Sequence, residues 1–301
     1  MRVPSKLDAG LRKRLLPLCR LQPGEIWTDK AQGHRVGCLD ATDFSQASRL
    51  LGKARAALAL QDPPYNVAAL QIRELEDYIK FSRAWIANCL KLMKPDSAFY
   101  VWLGADQRAG FQPLPDFMFL MREFPELKSR SFITLRNQRG YGTQKNWMSL
   151  RQELLYYSLG KPFFKVQYTD IPKILRGYYK KVGNKRLENL ERGKSPNIRP
   201  GNVWVDLQQV FHLLHENVPY AYAQKPLAAI ERILQASSKP GDLVLDFFSH
   251  SGTTLLACER LERRCATMDL DPIFCELSIR RLERFRSTGE PGWQGQDPFL
   301  K

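Results

Sequence analysis

Leu243 to Phe247 (LVLDF) restricts the fold more than any other segment of this chain. Successive strand residues face opposite sides of a sheet. Apart from Asp246, this run is apolar on both sides, so it does not suit a sheet edge. Lys239-Pro240-Gly241-Asp242 before it and Ser249-His250-Ser251-Gly252 after it read as turns. A strand buried on both faces implies a parallel sheet covered by helices on either side.

The rest of the chain keeps an α/β alternation. Ala56 to Gln61 (AALALQ) reads as another apolar strand. Ile72, Leu75, Ile79, Ile86, Leu90 and Met93 recur at helical spacing, and that helix is expected to stop before Pro95-Asp96. Ser97 to Leu103, Ser131 to Leu135 and Glu153 to Ser158 read as strands, with a short helix around Pro115 to Phe124. The loop from Arg136 to Ser149 carries Gly140, Tyr141, Gly142 and Trp147. Pro226 suits the first position of a helix striped by Leu227, Ile230 and Leu234. A helix from Thr253 to Arg263 and a short strand from Cys265 to Asp269 follow. Asp271-Pro272 then reads as the N-cap and first position of a helix over Ile273 to Phe285, and the tail after Gly289 as irregular.

Composition narrows the function. The 301 residues are 44% hydrophobic, which excludes disorder as the global state. No apolar run approaches the roughly 20 residues that span a bilayer. Leu15 to Cys19 is too short for a signal-peptide core, so a soluble cytoplasmic protein is expected. The six cysteines form no C-x-x-C pair, and His212 and His215 lack a third nearby ligand, so no metal site is expected. The formal charge is +15. Lys165 to Arg199 holds ten basic residues against three acidic ones, with Tyr168, Tyr178 and Tyr179 interleaved. Lys173, Arg176, Lys180, Lys181, Lys185 and Arg186 are its candidates for contact with nucleic-acid phosphates. Charge alone does not separate DNA from RNA, and a solvated lobe surface would carry the same residues.

Two constellations carry chemistry. The first is the turn after LVLDF. A strand, a small-residue turn and a helix N-terminus together make a nucleotide site, because backbone N–H groups and the helix dipole favour negative charge. Asp269 follows Asp246 by 23 residues at the end of the next strand, where an acid can bind ribose hydroxyls. The turn lacks G-x-G-x-x-G, which argues against a dinucleotide. The second is Asp62-Pro63-Pro64-Tyr65, directly after a strand. The prolines fix the backbone and remove two N–H donors. Asp62 and the Pro63 carbonyl could accept the two hydrogens of an amino-bearing base while Tyr65 stacks on its ring. Taken alone, a tight turn explains the same residues.

In combination these motifs resemble the permuted β group of DNA amino-methyltransferases, which use S-adenosylmethionine to methylate adenine N6 or cytosine N4. That group has the D/S-P-P-Y motif first, then a target-recognition region, then an A-Q-K-P-like segment and a D-P-F-x-G-S-G-T-T cofactor loop. Here the order is Asp62 to Tyr65, the basic stretch, Ala223-Gln224-Lys225-Pro226, and Asp246-Phe247-Phe248-Ser249-His250-Ser251-Gly252-Thr253-Thr254. Cys38-Leu39-Asp40 resembles the family's short segment before the catalytic strand, and Arg151-Gln152-Glu153 its motif near the flipped base. The resemblance spans roughly Gly37 to Arg286.

The resemblance implies a Rossmann-like α/β methyltransferase sheet with circularly permuted motif order and a small basic target-recognition region. It divides the chain into an N-terminal extension (1–36), a catalytic half (37–164), the recognition region (165–215), a cofactor-binding half (216–290) and a tail (291–301). Phe248, Ser251, Gly252 and Thr253 would line the cofactor's methionine and sugar, and Asp246 closes the strand beneath them. Asp269 would bind the ribose hydroxyls and Asp40 would lie by the adenine ring. Gln224 and Lys225 would lie near the methionine end. Two residues depart from the pattern: Phe247 stands where Pro is usual and His250 where Gly is usual. Histidine would be strained there if the position needs φ > 0, so either the loop has ordinary φ at His250 or the histidine bends it differently. The departure suggests that the His250 ring contacts the cofactor.

The implied partner is double-stranded DNA, with a homodimer and a cognate restriction endonuclease allowed by the resemblance. The implied reaction holds both amino hydrogens of a flipped base on Asp62 and Pro63, so that its lone pair can attack the sulfonium methyl. Cytosine-C5 chemistry needs a cysteine nucleophile, usually after Pro, and no cysteine here follows Pro. Asp rather than Ser opening the P-P-Y motif favours adenine N6. Cytosine N4, RNA methylation and a non-catalytic DNA-binding member are the alternatives.

Overall fold

The computed structural model describes residues 7–64, 74–104, 113–141, 147, 149–169, 179–188, 195–207, 210, 214–221 and 223–300. In chain order its main elements are α1 (Ala9–Leu15), β1 (Ile26–Thr28), β2 (Arg35–Cys38), α2 (Phe44–Leu51), β3 (Ala56–Gln61), α3 (Leu75–Leu90), β4 (Met93–Gly104) and α4 (Pro113–Leu120). There follow β5 (Lys128–Tyr141), β6 (Ser149–Leu159), β7 (Tyr179–Val182), β8 (Lys185–Glu188), β9 (Val203–Trp204) and α5 (Leu227–Ser237). The chain closes with β10 (Leu243–Asp246), α6 (Thr253–Arg260), β11 (Arg264–Asp269) and α7 (Pro272–Thr288).

Nine of these strands form one sheet in the order β1-β2-β11-β10-β3-β4-β6-β5-β9. The middle is parallel, from β2 through β11, β10 and β3 to β4. The β10 run is central and covered on both faces, as its composition requires. Val244 packs with Leu58, Leu60 and helices α5 and α6 on one face. Leu245 and Phe247 pack with Ala59, Trp85 and Phe99 and helices α2 and α3 on the other. α1 and the C-terminal tail close a third, smaller core through Leu11, Leu15, Trp293 and Phe299 against Ile273 and Leu277 of α7.

The sheet reverses its winding between β10 and β3. From β3 the chain moves outward to β4, and from β10 it moves outward the other way to β11. Ligand sites of open α/β sheets lie at such a reversal, beyond the carboxyl ends of the strands. The two strands pair directly at Val244–Leu58 and Leu245–Ala59. Beyond that, a side chain continues the ladder: buried Gln61 donates from Nε2 to the Leu245 carbonyl at 3.0 Å and accepts the Phe247 N–H at Oε1 at 2.9 Å. The backbones part above it, and the gap is the floor of a cleft.

Several elements differ from the sequence expectation. α3 ends at Leu90 and β4 begins at Met93, so Pro95 lies inside the strand. The β3–β4 register shifts between Ala56 and Leu58, beside that stretch, where a missing ladder N–H is tolerated. β5 runs on to Tyr141 rather than ending near Leu135. Pro226 is the N-cap of α5, not its first residue, because its backbone is extended (ψ 139°). Proline has no side-chain acceptor, and the Glu216 carboxylate takes the Leu227 N–H instead at 2.9 Å. Asp271 caps α7 as expected, accepting from Ile273 N at 3.0 Å. Part of the basic stretch forms an unanticipated hairpin, β7–β8, turned by Gly183 (φ +61°) and Asn184.

Replacing Gln61 by Met would keep the volume and leave the Phe247 N–H and Leu245 carbonyl buried without partners. Gln61→Met is expected to cost roughly 1–3 kcal/mol of stability in urea unfolding, the usual penalty for such orphaned groups.

Candidate active site

Two strand ends and one loop build the cleft. β3 delivers Leu60 and Asp62, and β10 delivers Asp246 and the turn after it. The segment before α5 delivers Lys225. Trp102 of β4 and Ile230 of α5 complete the walls. Of the sequence-derived candidates, Asp62, Lys225, Asp246, Phe248, His250, Ser251 and Thr253 therefore line one cleft.

The turn is held from below and behind. Asp246 is buried and its Oδ1 accepts the Phe248 N–H at 2.9 Å. The Phe248 ring meets Trp85 edge-on, centroids 5.3 Å apart. Ser249 donates its N–H to the Met268 carbonyl and shares a hydrogen bond with Ser278 through the hydroxyls. Gly252 sits in the left-handed region (φ +70°), and a Cβ there would lie 2.8 Å from Ser278 Cα, so only glycine lets the turn pack on α7. The buried Arg281 guanidinium donates to the Ser251 carbonyl and Thr253 Oγ1 at 2.9 Å each and to the Pro291 carbonyl at 2.7 Å. It ties the turn to the C-terminal tail.

His250 also adopts positive φ (+45°). The loop therefore keeps the conformation that glycine would take, and the histidine is accommodated in it. Its N–H donates to Asp269 Oδ2 at 3.0 Å, and its ring stands edge-on to Phe274 at 4.7 Å. Burial pushes the His250 imidazolium down to about 4, so the ring is neutral at pH 7. Burial has the opposite effect on the two acids below it, raising Asp246 and Asp269 to about 7.

Asp62 is half-buried, and Lys225 is almost fully buried beside it. Lys225 Nζ lies 2.9 Å from both carboxylate oxygens and 5.6 Å from the Trp102 ring centroid. Two residues far apart in sequence thus form one ion pair on the cleft wall. Pro63 is buried and Pro64 half-buried behind Asp62; Tyr65 lies outside the described residues.

Asp40 and Asp269 stand at the ends of neighbouring parallel strands, joined by Leu39 N–H to the Asp269 carbonyl at 3.0 Å. The Asp40 carboxylate accepts from Thr42 N and Oγ1, both at 2.8 Å. The Gln224 amide is engaged in its own loop, bridging the Glu216 carbonyl and the Val218 N–H. Of the basic candidates, Lys180, Lys181, Lys185 and Arg186 lie on β7–β8, with Lys181 opposite Arg186; Lys173 and Arg176 lie outside the described residues. Sequence reasoning passed over Trp102 and Ile230 in the walls. A signal existed for Trp102: it lies near the end of the strand expected next to the one that delivers Asp62.

The donor set fits a cationic ligand that carries a diol. Its lining offers carboxylates at two strand ends, Asp62 and Asp246, a neutral imidazole and no unpaired cation among the lining residues described, and Asp269 stands at the next strand end against the His250 N–H. Trp102 lines the same cleft, and its buried indole N–H has no protein acceptor among the described residues.

The DNA methylase family model for N6 and N4 methyltransferases matches residues 56–280. The chain is 26% identical over 231 residues to the Type II methyltransferase M.HpaI of Haemophilus parainfluenzae, covering 75% of this chain and 68% of that one. It is 26% identical over 241 residues to the DNA adenine methyltransferase YhdJ of Escherichia coli (strain K12), covering 75% and 76%. Among solved structures it resembles M1.HpyAVI in complex with S-adenosylmethionine, with TM-score 0.53 and 18% identity over 82% of this chain and 98% of that one. It also resembles the cytosine-N4-specific PvuII DNA methyltransferase, with TM-score 0.59 and 17% identity over 87% and 89%. Sheet, motif order and family match agree: the chain belongs to the β-group N6/N4 DNA methylases, S-adenosylmethionine-dependent enzymes that methylate adenine N6 or cytosine N4.

Proposed function

We propose that the protein methylates the exocyclic N6 of a flipped adenine in duplex DNA. The observation that carries this reading is the Asp62 carboxylate, held by Lys225 across the cleft from the Phe248–Thr253 turn. Asp62 and the Pro63 carbonyl accept the two amino hydrogens of the target, which localises the nitrogen lone pair. A carboxylate has about four acceptor sites, so Asp62 can hold the amine while still paired to Lys225. Tyr65 follows in the chain and is the residue to stack on the flipped base. Most of the rate would come from positioning and electrostatics.

S-adenosylmethionine supplies the activated methyl group when bound. Phe248, His250, Ser251, Gly252 and Thr253 are the residues to hold its methionine and sugar over Asp246, with Asp269 on the ribose hydroxyls and Asp40 by the adenine. Gln224 and Lys225 border the methionine end. A neutral His250 adds no positive charge beside a sulfonium.

Asp at the head of the P-P-Y motif favours adenine. The likeness to the PvuII enzyme favours cytosine N4 as the second reading. Incubation with S-adenosylmethionine and unmethylated genomic DNA, digestion to nucleosides and mass spectrometry is expected to show N6-methyladenine. Asp62→Ala is expected to abolish it and to keep cofactor binding. N4-methylcytosine as the product would move the reading to the second base, and near-normal turnover of the variant would refute the role of Asp62.

The ribose hydroxyls call for an ionised acceptor, and free Asp269 is half protonated near pH 7. Binding therefore expels a proton, so cofactor affinity is expected to tighten as pH rises from 6 to 8. By calorimetry, Asp269→Asn should weaken binding about tenfold or more and flatten that dependence.

Residues 165–215 are read as the target-recognition region between the catalytic half (37–164) and the cofactor half (216–290). Neutralising Lys180, Lys181, Lys185 and Arg186 is expected to reduce the salt slope of duplex binding by about 0.9 per lost phosphate contact. An unchanged slope would move the DNA surface elsewhere.

A further inference from the structure

One buried donor borders the cleft with nothing to donate to. Trp102 is fully buried, and its indole N–H has no acceptor among the described residues. Trp204 shows the ordinary solution, donating its indole N–H to the Gly201 carbonyl at 3.0 Å. Trp85 shares the lack of an acceptor, but it stacks on Phe99 and Phe117 in the core and does not line the cleft. Buried polar groups are nearly always paired, so an unpaired one in the wall of a ligand site points to a ligand group that pairs it.

The strand register sets Trp102 beside Asp62. Leu60 pairs with Tyr100 and Gln61 with Val101, so the next residues, Asp62 and Trp102, stand level on neighbouring strands. The two-residue alternation of β4 puts Trp102 with Tyr100 on the α5 face, in one core with Leu58, Leu60 and Ile230. Lys225 joins the two residues: its Nζ is 2.9 Å from the Asp62 carboxylate and 5.6 Å from the indole centroid. A cation over the ring face helps to hold the indole in place. β4 lies on the far side of β3 from β10. Trp102 therefore flanks Asp62 on the side away from the Phe248–Thr253 turn. The cofactor is read onto that turn, so the space beside Trp102 falls to the target base.

We propose that Trp102 reads the edge of the target base. Its indole N–H donates to the ring nitrogen beside the amine, N1 of adenine, while Asp62 and the Pro63 carbonyl hold the amino hydrogens. An indole nitrogen only donates and an ionised carboxylate only accepts. Thymine and guanine present an oxygen in place of the amine and an N–H in place of the ring nitrogen, so each group would meet its like. A site that pairs its buried polar groups with one base leaves them unpaired with another, and such sites discriminate strongly. The inference rests on the reading of Asp62 as holding the amine of a flipped base.

The test uses the full-length protein and a duplex carrying the sequence it methylates, identified by sequencing treated genomic DNA. The target position holds adenine, 1-deazaadenine or 7-deazaadenine, each with its amine intact, and single-turnover rates are compared. Loss of N1 leaves the amine more electron-rich and its base pair weaker, so a slower reaction there reports a lost contact. The wild type is expected to act on 1-deazaadenine about tenfold or more slowly than on adenine, and on 7-deazaadenine at close to the adenine rate. Trp102→Phe is expected to be slowed as much on adenine, with no further loss on 1-deazaadenine, because both changes remove the same hydrogen bond. A second measurement needs no turnover. With S-adenosylhomocysteine bound, Trp102→Phe should bind the adenine duplex more weakly than the wild type, but a duplex lacking the target base equally well. Normal methylation of 1-deazaadenine by the wild type, losses that multiply, or equally weakened binding of both duplexes would each overturn the proposal and leave the role of Asp62 standing. If the product is N4-methylcytosine, 3-deazacytosine takes the place of 1-deazaadenine in the same test. If the wild type methylates no DNA, the reading of Asp62 falls, and this inference falls with it.

Discussion

The hydrogen bonds of one buried amide, Gln61, hold the place on which the rest of the structure depends. β3 and β10 must pair to bury their apolar faces, and they must also part to leave room for two ligands. The Gln61 side chain meets both demands by continuing the ladder where the backbones diverge. Above it, one strand releases Asp62 and the other the Phe248–Thr253 turn. A group held on β3 and a group held on β10 therefore face each other across a short gap.

Several polar groups in the walls are restrained before any ligand arrives. Arg281 and Ser278 fix the turn from the α7 side, and Asp246 fixes it from the strand beneath. Lys225 fixes Asp62 from the opposite half of the chain. Such restraint is how a site limits reorganisation during reaction. Its cost shows in the acids: burial lifts Asp246 and Asp269 to about 7, so the cleft carries less negative charge than its sequence suggests.

Much of this was legible in the sequence, for identifiable reasons. Leu243 to Phe247 could only be a central strand, and the Asp271-Pro272 cap follows from local chemistry. Asp62 to Pro64 and the turn at 248–253 were readable because each lies directly after a strand. Other features depend on distant partners. No local pattern shows that Glu216 caps α5 in place of Pro226, or that Lys225 reaches Asp62 across 163 residues. β5 runs past Leu135 because β6 pairs with it as far as Tyr141. The β7–β8 hairpin was hidden because its lysines read as a charge run rather than as alternating strands. At His250 the sequence left open an ordinary φ or a differently bent loop; the φ is left-handed instead, and the ring packs on Phe274.

The central claim is that the cofactor and the target amine meet where β10 and β3 part. Hydrogen exchange with and without S-adenosylmethionine tests it most directly. The account predicts protection concentrated in the turn at 246–254, the end of β11 near Asp269 and the end of β3, with β7–β8 unchanged. Protection confined to other elements, or absent at a saturating concentration of S-adenosylmethionine, would contradict it.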